Sequence, residues 1–385
     1  MYSEYFNHYP HIAENRWETG TFIHKWWELY RRDSRWVPPY YPALRRTLLR
    51  DDPHLSRLYP QPIYFDAMRR QVDNSRDTDD SYKIGSLTNL HSMSLMEEPI
   101  AATVMLVERR RHPATAYLGL LQGINNEECV ERLLDKVQEL GWHQGVNRMV
   151  GPVGLSPYLQ QGLLDNVFDQ TPPLHTSYNP PFLPELLSHL LNPIAESQLY
   201  HASVNAAQKT TTVPELRITP LDPQRLADDL LPLFEEAVAI WPMFMPPDAT
   251  EVAFILRQLA IAPLLGHVAE VDGEVVGFVL MQPDLSPVLR LAHGGRNLLW
   301  RAWLMWRLQQ SCKAGRILYG AVKSGWRERG VGRVLWEQVH MTATQQGWER
   351  LSIGPVPVGS VASKVLTQWG AKNRQHYTLY SNQNE

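Results

Sequence analysis

With two cysteines among 385 residues, Cys129 and Cys312, the chain lacks the thiols for a disulfide framework, and it has no Cys-x-x-Cys. No His, Asp or Glu grouping has metal-ligand spacing, so no metal is expected. Charge of one sign is also missing. The 37 Lys and Arg stand against 40 Asp and Glu, net −3, which gives no electrostatic reason for nucleic acid to bind. There is no long hydrophobic run either. The longest candidate, Asn297 to Gln310 (NLLWRAWLMWRLQQ), is broken by Arg301 and Arg307 and falls short of the roughly 20 apolar residues of a membrane span. The start, MYSEYFNHYP, has no basic segment followed by an apolar one, so no signal peptide is expected. The expectation is a cytoplasmic protein with no stable membrane insertion.

What is present suits a globular protein. The chain is 44% hydrophobic and 20% charged, and its length accommodates two or three domains with full cores. Aromatics are plentiful, 13 Trp and 16 Tyr, and most are expected in cores or pocket walls. Trp300, Trp303 and Trp306 recur at i, i+3 and i+6 with the two arginines to the side. The expectation is a helix packed on its own domain. A homodimer contact, the wall of an acyl or substrate channel, and interfacial anchoring are the other uses of such a face.

Along the chain, FIHKWWELYRRDSRWVPPYYPALRRTLL begins as an amphipathic helix that Pro38-Pro39 is expected to stop. Asp73 to Ser81 is a polar loop. Ile100 to Val107 and Ala116 to Gln122 read as buried strands, Glu127 to Gln144 as a helix and Arg148 to Val153 as a strand. The polar, proline-closed stretch ending at Pro214 is the best linker candidate, placing domains at 1–205 and 215–385 with a linker at 206–214. Beyond it come a strand at Glu215 to Thr219 and helices at Arg225 to Ile240 and Asp248 to Ile261. Two apolar strands then flank Asp272-Gly273, a dipeptide that supplies positive φ to a two-residue hairpin turn. After the tryptophan-bearing insertion follow a strand (Ile317 to Val322), a glycine-bearing loop and a helix from Gly330 to about Gln346. A strand at Arg350 to Gly354, a helix around Ser360 to Trp369 and a strand at His376 to Tyr380 complete an α+β arrangement with one parallel crossover.

The loop and helix start read WRERGVGRVLW, Trp326 to Trp336. Glycines at 330 and 332 let consecutive backbone N–H groups converge on an anion, the positive end of the helix faces the same place, and Arg327, Arg329 and Arg333 add charge. A P-loop is excluded because no Lys-Ser/Thr follows Gly332. The dinucleotide fingerprint fits poorly, since Leu335 occupies the third glycine position and seven residues separate Val322 from Gly330.

Arg327, Gly330 and Gly332, standing between strand and helix, meet the pattern [Q/R]-x-x-G-x-[G/A] and resemble the acyl-CoA pyrophosphate loop of the GCN5-related N-acetyltransferases (GNAT). The hairpin before the loop and Trp369-Gly370-Ala371 before the closing strand are similar to that family as well. WVPPYYPALRRTLL, GPVGLSPYLQQGLLDNVFDQTPP and YNPPFL extend the resemblance to bacterial tandem-GNAT-like proteins of about this length whose first half carries GP…YNPP.

The resemblance implies two GNAT-like domains, each a mixed, mostly antiparallel twisted sheet flanked by helices. It implies acyl-CoA, commonly acetyl-CoA, as co-substrate, held by Val322, Arg327, Arg329, Gly330, Val331, Gly332 and Arg333, with no metal. The pantetheine arm would pair with the strand at Tyr319 to Val322, and a small-molecule or peptide amine would accept the acyl group directly. The family's usual tyrosine and asparagine positions hold Leu366 and Gly359, and only Ala362 matches there. Candidate catalytic groups are therefore Tyr319, beside the expected thioester, Asp284 after the hairpin, and Glu235 or Glu236 on the first helix of the second half. His340 is expected to be structural. The alternative to an enzyme is a CoA-binding sensor or scaffold that performs no transfer.

An internal repeat adds one more expectation. Leu133, Val137, Gln144 and Gly145 recur 202 positions later as Leu335, Val339, Gln346 and Gly347. At that offset Arg327, Gly330 and Gly332 correspond to Asn125, Glu128 and Val130, so the first copy should hold no cofactor and Asn125 or Asn126 should cap its helix.

Overall fold

The computed structural model describes residues 9–49, 52–69, 96–110, 113–204, 211–222, 231, 233–234, 247–307 and 312–383, with 67–69 and 96–99 by backbone only. The polar loop at Asp73 to Ser81 and most of the helix expected at Arg225 to Ile240, including Glu235 and Glu236, lie outside the described residues.

The N-terminal half opens with β1 (His11–Ile12) and α1 (Arg16–Tyr30), whose start is capped by Asn15 accepting from the N–H groups of Trp17 and Glu18. Phe22, Trp26 and Tyr30, spaced by four, are buried together with Ile23 and Trp27. The helix does not run to Pro38-Pro39. It ends at Tyr30, whose carbonyl accepts from Asp33 N–H at 2.9 Å, and Asp33 then holds the turn through Arg35. The local turn stops the helix before the prolines can.

Two short helices follow, α2 (Tyr41–Leu49) and α3 (Pro53–Arg57). The strands β2 (Gln61–Arg69), β3 (Met96–Glu108) and β4 (Thr115–Gly123) lead to α4 (Glu127–His143) and β5 (Arg148–Val153). A two-residue β6 (Leu163–Leu164), α5 (Phe182–Leu190) and β7 (Asn192–Ser203) finish the half. The strand β7 escaped the sequence reading.

The C-terminal half runs β8 (Arg217–Pro220), α6 (Ala249–Leu259, capped by Asp248), β9 (Leu265–Val271), β10 (Glu274–Pro283) and α7 (Ser286–Leu291). Then come α8 (Leu298–Arg307), β11 (Ala314–Val322), α9 (Val331–Gln345), β12 (Arg350–Pro357), α10 (Val361–Gln368) and β13 (Lys372–Ser381). Asp272 and Gly273 both take positive φ, 52° and 80°, at the β9–β10 turn.

One sheet contains every strand among the described residues, in the order β1-β2-β3-β4-β5-β13-β7-β12-β11-β10-β9-β8, with β6 on β13. Its pairing is antiparallel except at β4–β5 and β11–β12. The centre is crossed over. β7, from the first half, pairs with β12 of the second, while β13 pairs with β5 of the first. β7 and β13 pair with each other from Lys372↔His201 to Ser381↔Asn192. Each half thus lends its last strand to the other.

The largest core cluster also ignores the boundary, joining Phe22, Trp27 and Tyr117 to Phe254, Phe278 and Leu280. Each such fully buried side chain contributes roughly 1.5–3 kcal/mol relative to exposure. α4 and α5 cover a second cluster on β2–β5, and α9 packs on a third. The tryptophan helix α8 is not a helix packed only on its own domain. Leu304, Trp300 and Trp303 sit in a cluster with Val37, Tyr40 and Leu174 of the other half, while Leu299 (83% exposed) and Trp306 face outward.

Candidate cofactor and active site

Gly330 initiates α9 with φ 90°, a left-handed conformation, and no side chain caps the helix. Its first-turn N–H groups, which have no intrahelical partner, are therefore offered outward. Gly332 has a different reason to be glycine. Its φ is not left-handed, and an added Cβ would meet only the Trp369 ring at 3.6 Å and a Val322 methyl at 3.8 Å, so the chain's own packing does not demand the absence of a side chain there.

Three guanidiniums surround this start. Arg327 is exposed and donates from Nε to the Val322 carbonyl at 3.1 Å; Arg329 stacks on Trp326 at 5.0 Å and Arg333 on Trp369 at 5.8 Å. Behind them Glu337 on α9 accepts from Thr211 N–H (2.8 Å) and hydroxyl (2.7 Å), and a Gly330 Cβ would press on Val213 at 3.1 Å. The segment between the halves is thereby fastened beside the loop.

The strand leading into the loop has a free edge. β11 pairs with β10 along its length, but with β12 only from Ala314↔Arg350 to Ile317↔Ile353. β12 then continues beside β7 through Pro357, so Leu318 to Val322 have no second strand neighbour among the described residues. Uncapped helix start, open Cβ position and unpaired strand edge together fit the pyrophosphate and the amide-bearing arm of CoA.

Tyr319 stands on that stretch, partly buried, its hydroxyl donating to the Tyr158 carbonyl at 2.7 Å and its ring 5.0 Å from Phe234. Burial raises its pKa well above the ordinary phenol value. Asp284 is hydrogen-bonded through one side of its carboxylate. One carboxylate oxygen accepts from Leu174 N–H (3.0 Å), Ser286 N–H (3.0 Å) and Ser286 hydroxyl (2.5 Å), tying the two halves together. His340 packs edge-on against Trp336 at 4.7 Å. Asn179 of the YNPP signature is structural, exchanging bonds with Leu164 N–H and carbonyl, both 2.8 Å. The Cys129 thiol is buried, and burial raises its pKa to about 11. No group of three or more His, Cys, Asp or Glu among the described residues could hold a metal ion, and no helix among them is long and apolar enough to cross a membrane.

The sequence reading missed a buried carboxyl next door. Glu251 on α6 is 1% exposed; it accepts from the Ser156 hydroxyl at 3.0 Å and lies 3.3 Å from Arg110 and 3.5 Å from His54 Nε2. Burial raises its pKa to about 7 and lowers that of His54 to about 4. Ser156 and Tyr158 share one loop, so the cluster backs directly onto the Tyr319 hydroxyl bond. A signal existed: Glu251 precedes the buried Ile255 by four residues and Leu259 by eight, which puts it on the core face.

At the corresponding place in the first half, side chains cap the helix start and bond the end of the strand. Asn126 caps α4, accepting from Cys129 N–H at 3.1 Å. The end of β4 receives Trp26 Nε1 on the Leu120 carbonyl (2.8 Å), and the Tyr30 hydroxyl meets both the N–H and carbonyl of Gly123 (3.3 and 3.2 Å).

Among solved structures, a tandem GNAT protein from the clavulanic acid biosynthesis pathway is similar over 97% of both chains, with a TM-score of 0.55 and 9% identity. A probable N-acyltransferase of Enterococcus faecalis V583 is similar over 97% of this chain and 72% of its own (TM-score 0.54, 8% identity). The glucosamine N-acetyltransferase region of a fungal multi-domain GH3 β-N-acetylglucosaminidase covers 97% of this chain and 38% of its own (TM-score 0.53, 12% identity). No protein-family profile and no curated protein matches the chain in sequence. The fold is that of a tandem GCN5-related N-acetyltransferase.

Proposed function

We propose that the chain transfers an acetyl or other short acyl group from CoA to the amine of a small molecule or peptide, binding one CoA per chain in the C-terminal half. The observation that carries this reading is the uncapped start of α9 beside the β11 edge left free after Ile317. Backbone N–H groups at Val331, Gly332 and Arg333 would take the pyrophosphate, with Arg327, Arg329 and Arg333 supplying charge around it. Leu318 to Val322 would offer the strand edge to the arm. The bound thioester supplies the activated acyl carbon. The protein's part is to hold that carbon and a neutral amine in contact, the source of most acceleration in direct transfer. The N–C bond forms as the C–S bond breaks, the amine's proton passes to a base, and the thiolate receives a proton. Tyr319 is the proposed donor of that proton; Asp284 and Glu235 or Glu236 are the candidate bases named from sequence. In the same reading residues 1–205 are a GNAT-like domain without cofactor, joined through 206–214 to the acetyltransferase domain at 215–385.

A CoA-binding sensor is the second reading, favoured by one observation: the Tyr319 hydroxyl is already engaged by the Tyr158 carbonyl, and Leu366 is buried at the family's customary tyrosine position. Acyl-CoA-dependent release of free thiol, measured across a panel of amines, polyamines, amino acids and peptides, separates the two. Turnover with an acceptor is expected; saturable CoA binding without turnover over the whole panel would leave the sensor. Tyr319→Phe should lower kcat while leaving KM for acyl-CoA nearly unchanged.

A further inference from the structure

The outer face of α8 is apolar and exposed. Leu298, Leu299, Met305 and Trp306 are 77%, 83%, 57% and 56% exposed, and Ala302 between them is exposed as well. Their positions, i, i+1, i+4, i+7 and i+8, make one stripe along the helix. The opposite face holds the helix down: Leu304 is buried, and Trp300 and Trp303 pack with Leu285 and Leu289. Single apolar side chains are ordinary on a surface, but a continuous stripe on an anchored helix calls for a partner.

Charge narrows the choice. From Leu285 to Lys313 the sequence holds Arg290, Arg296, Arg301, Arg307 and Lys313 and no Asp or Glu, in a chain of net charge −3. Glu28 pairs with Arg296 and Glu349 with Lys313. Arg290 and Arg301 donate to the carbonyls of Ser34, Gly295 and Arg296, neutral acceptors that leave both charges in place. An isologous contact with a second copy would set these arginines against their own images, at a repulsive cost. A partner helix would be received in a groove, whereas side chains as exposed as Leu298 and Leu299 form a ridge. Anionic lipid suits both features: acyl chains take the stripe, headgroups meet the arginines, and the Trp306 indole sits at their boundary. Such a contact also leaves the CoA loop in water. Leu285 lies just past the end of β10 that pairs with Gly315, and the loop follows Val322 at the other end of β11.

We propose that α8 docks on an anionic lipid surface, with Leu298, Leu299, Met305 and Trp306 at the boundary between headgroups and acyl chains. The contact is peripheral and reversible, because a helix of 10 residues lies in the interface and is too short to span it. It does not depend on the acyltransferase reading.

Sedimentation of the full-length chain with vesicles of equimolar phosphatidylcholine and phosphatidylglycerol tests this, beside vesicles of phosphatidylcholine alone. Saturable binding to the anionic vesicles is expected, at least about tenfold tighter than to the neutral ones and weakened by high salt. Leu299→Glu combined with Met305→Glu should abolish it, and Trp306→Ser, a milder change, should weaken it several-fold. All three positions are exposed, so cooperative melting should be kept. Trp142→Glu, at a comparably exposed tryptophan on α4, should leave binding unchanged and controls for added negative charge. Absence of binding to anionic vesicles, equal binding to neutral ones, indifference to the α8 substitutions or an equal loss in Trp142→Glu would overturn the proposal. So would a lipid-free dimer that the double glutamate variant makes monomeric, which would assign the stripe to a second copy.

Discussion

Helices α4 and α9 begin at corresponding points of the two halves, each following a strand of a parallel pair, and each start resolves its unpaired N–H groups differently. α4 is closed by its own chain: Asn126 caps it, and Glu127 and Glu128 put carboxylates in its first turn. α9 has no capping side chain, no acidic residue in its first turn, a left-handed glycine before it and arginines around it. The strand edges follow suit. Trp26 and Tyr30 bond the end of β4, whereas β11 past Ile317 has no second strand partner among the described residues. On the proposed reading the same backbone plan serves as scaffold in one half and as an anion site in the other, because a helix start must be satisfied by something.

Gly332→Val attacks the open start most directly. Valine is a better helix former than glycine, and the nearest atom to the new Cβ is 3.6 Å away, so stability should hold or rise. CoA affinity should fall roughly 100-fold, about 2.8 kcal/mol, by calorimetry. Undiminished affinity in a folded variant would remove the phosphate site from α9.

Arg327→Ala should cost about 1.5–3 kcal/mol of CoA binding if its guanidinium contacts phosphate. Titration in low and high salt reads this: a loss confined to low salt would mean that Arg327 only steers the ligand.

Asn126→Ala is the mirror experiment on the closed start. It should lower the unfolding free energy by about 1 kcal/mol in urea, with CoA stoichiometry still one per chain. A second CoA bound at α4 would erase the distinction between the halves.

The effect at the seam is one of pH. Glu251, with its pKa raised from 4.5 to about 7, contributes stability that is lost as pH rises from about 4.5 to 7. His54, lowered from 6.5 to about 4, contributes stability that is lost as pH falls from about 6.5 to 4. The two slopes oppose each other. Glu251→Gln should remove the Glu251 slope, so that stability relative to the parent protein improves with rising pH between 4.5 and 7. Parallel pH profiles from chemical denaturation would show that Glu251 does not titrate there.

Much of this contrast was legible in the sequence because it is written in local residues. Asp272-Gly273 announced its hairpin, the 202-residue offset matched α4 to α9, and Asn125-Asn126 foretold a cap that Asn126 supplies. What stayed hidden depends on distant partners. Nothing in NPIAESQLYHAS says which sheet edge β7 will join, since alternation defines faces and not neighbours. The bond that Asp284 accepts from Leu174 N–H could not be read from sequence, because its partner lies 110 positions away. Trp26 and Tyr30 read as core, which they are, but their reach to the end of β4 is a tertiary fact.

The exchange of final strands has a consequence during biosynthesis. Tyr380 pairs with Gly151, 229 positions earlier, so β5 leaves the ribosome long before the strand that will sit beside it exists. At roughly 5–20 residues per second the wait is on the order of 10–50 s. Through that interval the nascent first half holds a bare sheet edge, the surface on which a neighbouring nascent chain could be templated. Only the arrival of β13 seals both halves, and it does so in a single step.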